Sequence, residues 1–186
     1  MRHPSNSSDS SEDSGADQRL VALRDSIVRV FPSTAFEGQV TYHDGAWLPE
    51  LTEENAIHDD DMFLYEALHG RKWTDVSKDF VYAMPGEFVL LTDEALVAFL
   101  AAWLVRSLEN IDGENEVRER FVYSFSPIGK MPTRDFIVKH LRALNFDQRA
   151  LVRSLLIEFG QRERSEFIRR HAVSAVELID SLDLPA

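Results

Sequence analysis

Apolar residues recur at intervals of three and four over several stretches of the chain, the spacing of amphipathic helices. In Gln18–Phe31 the stripe is Leu20, Leu23, Ile27, Val30 and Phe31, and Pro32 then ends it. A second helix is expected from Asp59 or Asp60 to about His69, with Gly70 as its stop and Thr52 capping a turn before it. Residues 33–51 read as loop with a short strand at Gln39–Tyr42, and 71–86 as one irregular helical turn and a loop.

From Thr92 the pattern changes. Thr92 is a capping residue, Asp93 and Glu94 fill a first turn, and Ala95–Leu108 is apolar on every side. A helix without a polar face belongs at the centre of a core. Phe88–Leu91 ahead of it and Arg120–Phe125 beyond it, with Phe121, Tyr123 and Phe125 alternating, predict strands. Asp112-Gly113 and Ser126-Pro127-Ile128-Gly129 mark turns.

Three helices close the chain. Thr133 caps Arg134–Leu144; Asn145, with Gln148 in a capping box, starts Phe146–Phe159, which Gly160 ends; Ser165 caps Glu166–Leu182. The expected fold is mainly α, one helical domain around a buried central helix with a minor β element, an α+β arrangement remaining open. The domain spans 19–184. Residues 1–18, with six serines, four acids and almost nothing apolar, read as a disordered tail.

Composition adds limits. With 44% hydrophobic residues and no cysteine, the chain can bury a core of its own and forms neither disulfides nor thiolate metal sites. No signal peptide is visible, and the longest apolar run, Ala95–Val105, falls well short of the about 20 residues a membrane span needs. A cytoplasmic location is expected.

Charge changes the picture most. Of the net −12, residues 1–93 carry −11. Between Arg29 and Arg71 stand nine carboxylates and no lysine or arginine, whereas residues 130–171 hold ten Lys/Arg against five acids. A solvated acidic face is the ordinary meaning of such a run, and Asp59-Asp60-Asp61 also suit a helix N-terminus. Neither accounts for the missing cations. The alternative is a face that steers a basic protein partner, with Glu53, Glu54, Asp59, Asp60, Asp61 and Glu66 as complementary charges and Trp47 or Trp73 as buried anchors. Core packing is the commoner role of each tryptophan, and Trp103 in the apolar helix is core.

Other chemistry finds less support. Glu66-Ala67-Leu68-His69 places two ligand types on one helix face, and His43, His58 and Asp61 extend a carboxylate–histidine set for a metal-dependent enzyme. The second Glu-x-x-His of a di-iron bundle is missing, and no catalytic residue, metal ligand or cofactor is assigned. No nucleophile elbow or phosphate-binding glycine loop occurs. Arg149 and Arg153 suit a DNA-reading helix, against the overall charge. The same polarity also allows self-association.

Several of these segments together resemble an uncharacterised bacterial family of small cytoplasmic proteins. They are Asp59-Asp60-Asp61, Arg71-Lys72-Trp73, Phe88-Val89-Leu90-Leu91-Thr92, Phe99-Leu100-Ala101-Ala102-Trp103-Leu104, Phe125-Ser126-Pro127 and Leu144-Asn145-Phe146-Asp147-Gln148. The likeness covers roughly residues 19–160. Ala101 stands where the family usually has proline, and Asn145-Phe146-Asp147 replaces a Thr-Pro-Glu helix start. The resemblance implies a bacterial cytoplasmic protein and no activity. The reading that follows is a non-enzymatic interaction protein, most concretely an immunity or antitoxin-like inhibitor of a toxin enzyme such as a nuclease.

Overall fold

The computed structural model describes residues 10–41, 59–129 and 132–183. Among them are eight α-helices and no strand: α1 Ser10–Val30, α2 Asp59–Leu68, α3 Lys78–Ala83, α4 Asp93–Ser107, α5 Glu116–Ser124, α6 Arg134–Ala143, α7 Phe146–Arg162 and α8 Glu166–Asp183. The mainly helical fold is as expected, and α4 is its centre. Ala95, Leu96, Phe99 through Leu104 and Ser107 are all buried, and α1, α3, α5 and α6 pack around them. The α7–α8 pair forms the other broad contact, joined to the rest through α1 and α5. No helix among the described residues is long and apolar enough to cross a membrane.

Capping chemistry places most of the helix starts. Thr92, Thr133 and Asn145 each accept a main-chain N–H from three residues on, and Gln148 completes the box by accepting from the Asn145 N–H. Thr92 is used twice. Its hydroxyl caps α4 through Ala95 N and donates to the Gln39 carbonyl at 2.6 Å, while its N–H donates to Val40 O at 3.0 Å. This docking yields one isolated antiparallel bridge, Thr41 with Leu91, in place of the strand expected at 39–42.

Both other expected strands are helical. Residues Glu87–Leu90 form a 3-10 turn that buries Phe88 and Leu91, three residues apart, on one side. Along α5 and its C-terminal cap Phe125, the buried positions Val117, Phe121 and Phe125 lie four apart, with Arg118 and Val122 alongside, and Asn115 caps the start. A four-residue repeat fits a strand's period as well as a helix's, so Phe121 and Phe125 alone are ambiguous. Residues 71–86 hold a 3-10 turn, Trp73–Asp75, and the helix α3, capped by Ser77.

Two helix ends also move. α1 begins at Ser10, well inside the serine-rich segment, so the tail expected through residue 18 is helical over 10–18; residues 1–9 lie outside the described set. α7 runs through Gly160 to Arg162. That glycine is a close-approach position: a Cβ there would sit 3.3 Å from the Cβ of Ala172 on α8. The stop glycine expected at position 70 does end α2, in the left-handed region with φ +74°. Its N–H donates to Phe36 O, and Phe36 N donates to Arg71 O, tying the α2 exit to the chain before it.

Candidate partner-binding face

Of the acidic segment between Arg29 and Arg71 the structure describes residues 30–41, with Glu37, and 59–70, with α2. The inward stripe of α2 is Asp61, Leu64 and Leu68, the two leucines fully buried. Outward stand Met62, Phe63, Tyr65 and Glu66, with Phe63 61% exposed. Three large apolar side chains exposed on one short helix are a feature that marks interaction sites. On one flank Tyr65 stacks on His69 with ring centroids 4.7 Å apart, and His69 Nε2 lies 3.6 Å from a Glu37 carboxylate oxygen. On the other flank Phe63 and Ala67 face Val76 and Phe80 across a shallow groove.

The residues expected to meet a partner divide accordingly. Glu66 is on the outer face. Asp59 and Asp60 open the same helix. Asp61 is 9% exposed and faces inward, so it is not part of the outer acidic surface. Trp73 is also inward: it is 7% exposed, and its indole N–H donates to the Phe31 carbonyl at 3.4 Å. It is a core residue and not an anchor. Trp47, Glu53 and Glu54 lie outside the described residues. The exposed apolar residues of α2 went unmarked in the sequence, where Met62, Phe63 and Tyr65 look like any helix core; only their phase against Leu64 and Leu68 separates them.

Four cations of the basic half, Lys139, Arg153, Arg162 and Arg169, lie against acids of the same chain. Arg153 makes a two-pronged pair with Asp180, at 2.6 and 3.0 Å. Arg162 binds Glu158 and Asp112, Arg169 binds Glu166, and Lys139 approaches Asp93 at 3.9 Å. Arg149 donates to the Leu144 carbonyl at the foot of its own helix. The two arginines named for DNA reading are thus engaged in holding α7 to its surroundings. Among the described residues no three His, Asp or Glu side chains are grouped as metal ligands, and His43 and His58 lie outside that set.

Two charged clusters had no sequence signature, because they join separate elements. Glu109 receives Arg106 at 2.6 Å, Lys78 at 2.7 Å and the Tyr82 hydroxyl at 3.3 Å, linking α3 to the end of α4. Partial burial pushes the Glu109 carboxyl up, but the bonds from Lys78 and Arg106 outweigh it and hold the group below the usual glutamate range. Arg118 is buried and donates to the Ile111 and Gly113 carbonyls, with Glu163 at 3.8 Å. It closes the turn between α4 and α5.

Two histidines, His140 and His171, are buried. Burial lowers the pKa of His140, opposed in part by the Phe136 carbonyl 3.2 Å from its Nδ1. Burial also lowers that of His171, which sits edge-on to Tyr123 and against Phe167, with the Arg170 charge acting in the same direction. A wider cleft, of about 790 Å³, lies between α4 and α6; Asp93 and Glu94 line it from α4, and Asp135, Lys139 and Arg142 from α6. No protein-family model, curated protein or solved structure matches the chain.

Proposed function

We propose that this chain is a non-enzymatic interaction protein that presents the α2 face to a basic protein partner. Its sharpest form is an immunity or antitoxin-like inhibitor, seated by its carboxylates in the cationic active-site cleft of a toxin enzyme. The observation that supports this is the outer face of α2. Met62, Phe63 and Tyr65 are exposed beside Glu66, in a sequence window from Arg29 to Arg71 that contains no positive charge between its ends.

The two components do different work. Acidic side chains on the rim raise the association rate with a basic partner and reject acidic ones. Desolvated aromatic side chains supply most of the binding free energy in a protein interface. A merely solvated acidic face needs only the first. In the basic C-terminal half Arg153 and Arg162 are bound to acids of the same chain, which lessens the charge that these two offer to nucleic acid.

The test is affinity capture from the native host's lysate over a salt series, with the tagged chain and a variant carrying Glu53→Gln, Glu54→Gln, Asp59→Asn, Asp60→Asn and Glu66→Gln. The wild type is expected to retain a stoichiometric basic protein that the variant loses first as salt rises. A partner held equally by both proteins at every salt concentration rules the acidic-face mechanism out.

A further inference from the structure

The groove beside α2 has a built shape. Phe63 and Ala67 form one wall, Val76 and Phe80 the other, and Glu66 and Arg71 contribute charge to its lining. It encloses about 250 Å³, below the roughly 300–1,000 Å³ of small-molecule sites but ample for a side chain. Val76 is buried and Phe80 half-buried, so the walls are held by the core, while Phe63 stands out of it.

We infer that this groove anchors an amphipathic basic helix of the protein partner, which seats an apolar side chain between Phe63 and Phe80 and a lysine or arginine against Glu66. The inference rests on the acidic-face reading above and gives the partner's recognition element. Helix-in-groove recognition uses apolar residues at three- and four-residue spacing for affinity, and charged neighbours for register. The exposed acids about the groove are Glu66, Asp75 and Asp79, and Lys78 beside them is already bound to Glu109. Arg71, with exposed Lys72 next to it, is the exception. Its charge favours the C-terminal end of the incoming helix, where unpaired carbonyls are partially negative, and this sets the helix direction.

The other occupants fit less well. Residues 42–58 of the chain itself carry Asp44, Glu50, Glu53 and Glu54 with no lysine or arginine, and so supply no cation for Glu66. Of the α7 and α8 arginines of a second copy, Arg153, Arg162 and Arg169 are bound to Asp180, Glu158 and Glu166.

The test uses the full chain and three labelled synthetic peptides, read by fluorescence anisotropy. One is an amphipathic helix of leucine and lysine; the second is its scramble, with the same composition and no apolar face; the third replaces lysine by glutamate. The amphipathic basic peptide is expected to bind at least about tenfold more tightly than either control. Phe63→Ser is expected to weaken it by about tenfold or more, as truncation of an anchor does, and to leave the scramble unchanged. Ala67→Lys, which fills the groove and adds a positive charge to it, should act in the same direction, with circular dichroism confirming that both variants fold. Equal binding of amphipathic peptide and scramble, or indifference to both substitutions, overturns the groove and leaves the acidic face standing. If neither basic peptide binds, both readings fall.

Discussion

The indole N–H of Trp103 donates to the main-chain carbonyl of Met84 at 2.8 Å, joining the centre of α4 to the end of α3. The ring itself meets Phe80 and Phe88 edge-on, with centroids about 6 Å apart by the usual aromatic geometry. Trp103→Phe keeps an aromatic but leaves the carbonyl without that donor and opens space beside it. We expect a loss of about 2 kcal/mol, within the range for a buried group deprived of its partner, measured by urea denaturation.

Arg118 serves a turn and not a ligand. Its guanidinium closes residues 110–113 through main-chain carbonyls and faces Glu163. Arg118→Met preserves much of the apolar stem and removes every donor, leaving Glu163 and the carbonyls behind. The expected cost is about 3–5 kcal/mol, the effect of removing one partner from a buried ion pair. A midpoint of chemical unfolding within error of wild type would show that solvent replaces the guanidinium.

The buried histidines make the fold sensitive to mild acid. In both His140 and His171 burial lowers the pKa, so the folded chain holds fewer protons than the unfolded chain near pH 6. Their contribution is complete above the ordinary histidine value of about 6.5 and is lost as pH falls through the lowered values. Thermal midpoints should therefore drop between about pH 7 and pH 5, and His171→Phe should drop less than wild type over that interval. Parallel curves for the two proteins would place the acid sensitivity elsewhere.

Gly160 separates two roles that glycine plays in helices. A Cβ at this position would lie 3.3 Å from that of Ala172, so the α7–α8 spacing has little slack there. Gly160→Ala gains helix propensity of up to about 1 kcal/mol, offset by the tight contact. Gly160→Val adds methyl groups the seam has no room for and should destabilise by about 1–3 kcal/mol. Equilibrium denaturation of both variants distinguishes this from a helix stop, which would tolerate either residue poorly because of its backbone conformation.

Much of this architecture is legible in the chain, for a physical reason: a cap is a local signal. Thr92, Thr133 and Asn145 each announce a helix within three residues of themselves, and the apolar run after Thr92 admits no exposed face. What misleads is period and context. Phe121 and Phe125 satisfy a strand and a helix equally until Val117 and the Asn115 cap are counted with them. Gly160 cannot be told from a stop without Ala172. At the candidate face, charge is visible and direction is not. Asp61 belongs with its two acidic neighbours by composition, yet its phase with Leu64 and Leu68 turns it inward. The Glu109 cluster depends on α3 meeting the end of α4, which no local pattern encodes.

The enclosure of α4 has a consequence for how the molecule breathes. Helices α1, α3, α5 and α6 cover it, so its amide protons are expected to exchange with solvent only when the whole chain opens. α2, by contrast, makes none of the extensive helix–helix contacts among the described residues, where Leu64, Leu68 and the Gly70 turn hold it. Its amides should exchange through partial opening, at a free energy well below that of global unfolding. A bound helix would suppress that opening first, so slowed deuterium uptake confined to residues 61–69 would report docking without any knowledge of the partner's structure.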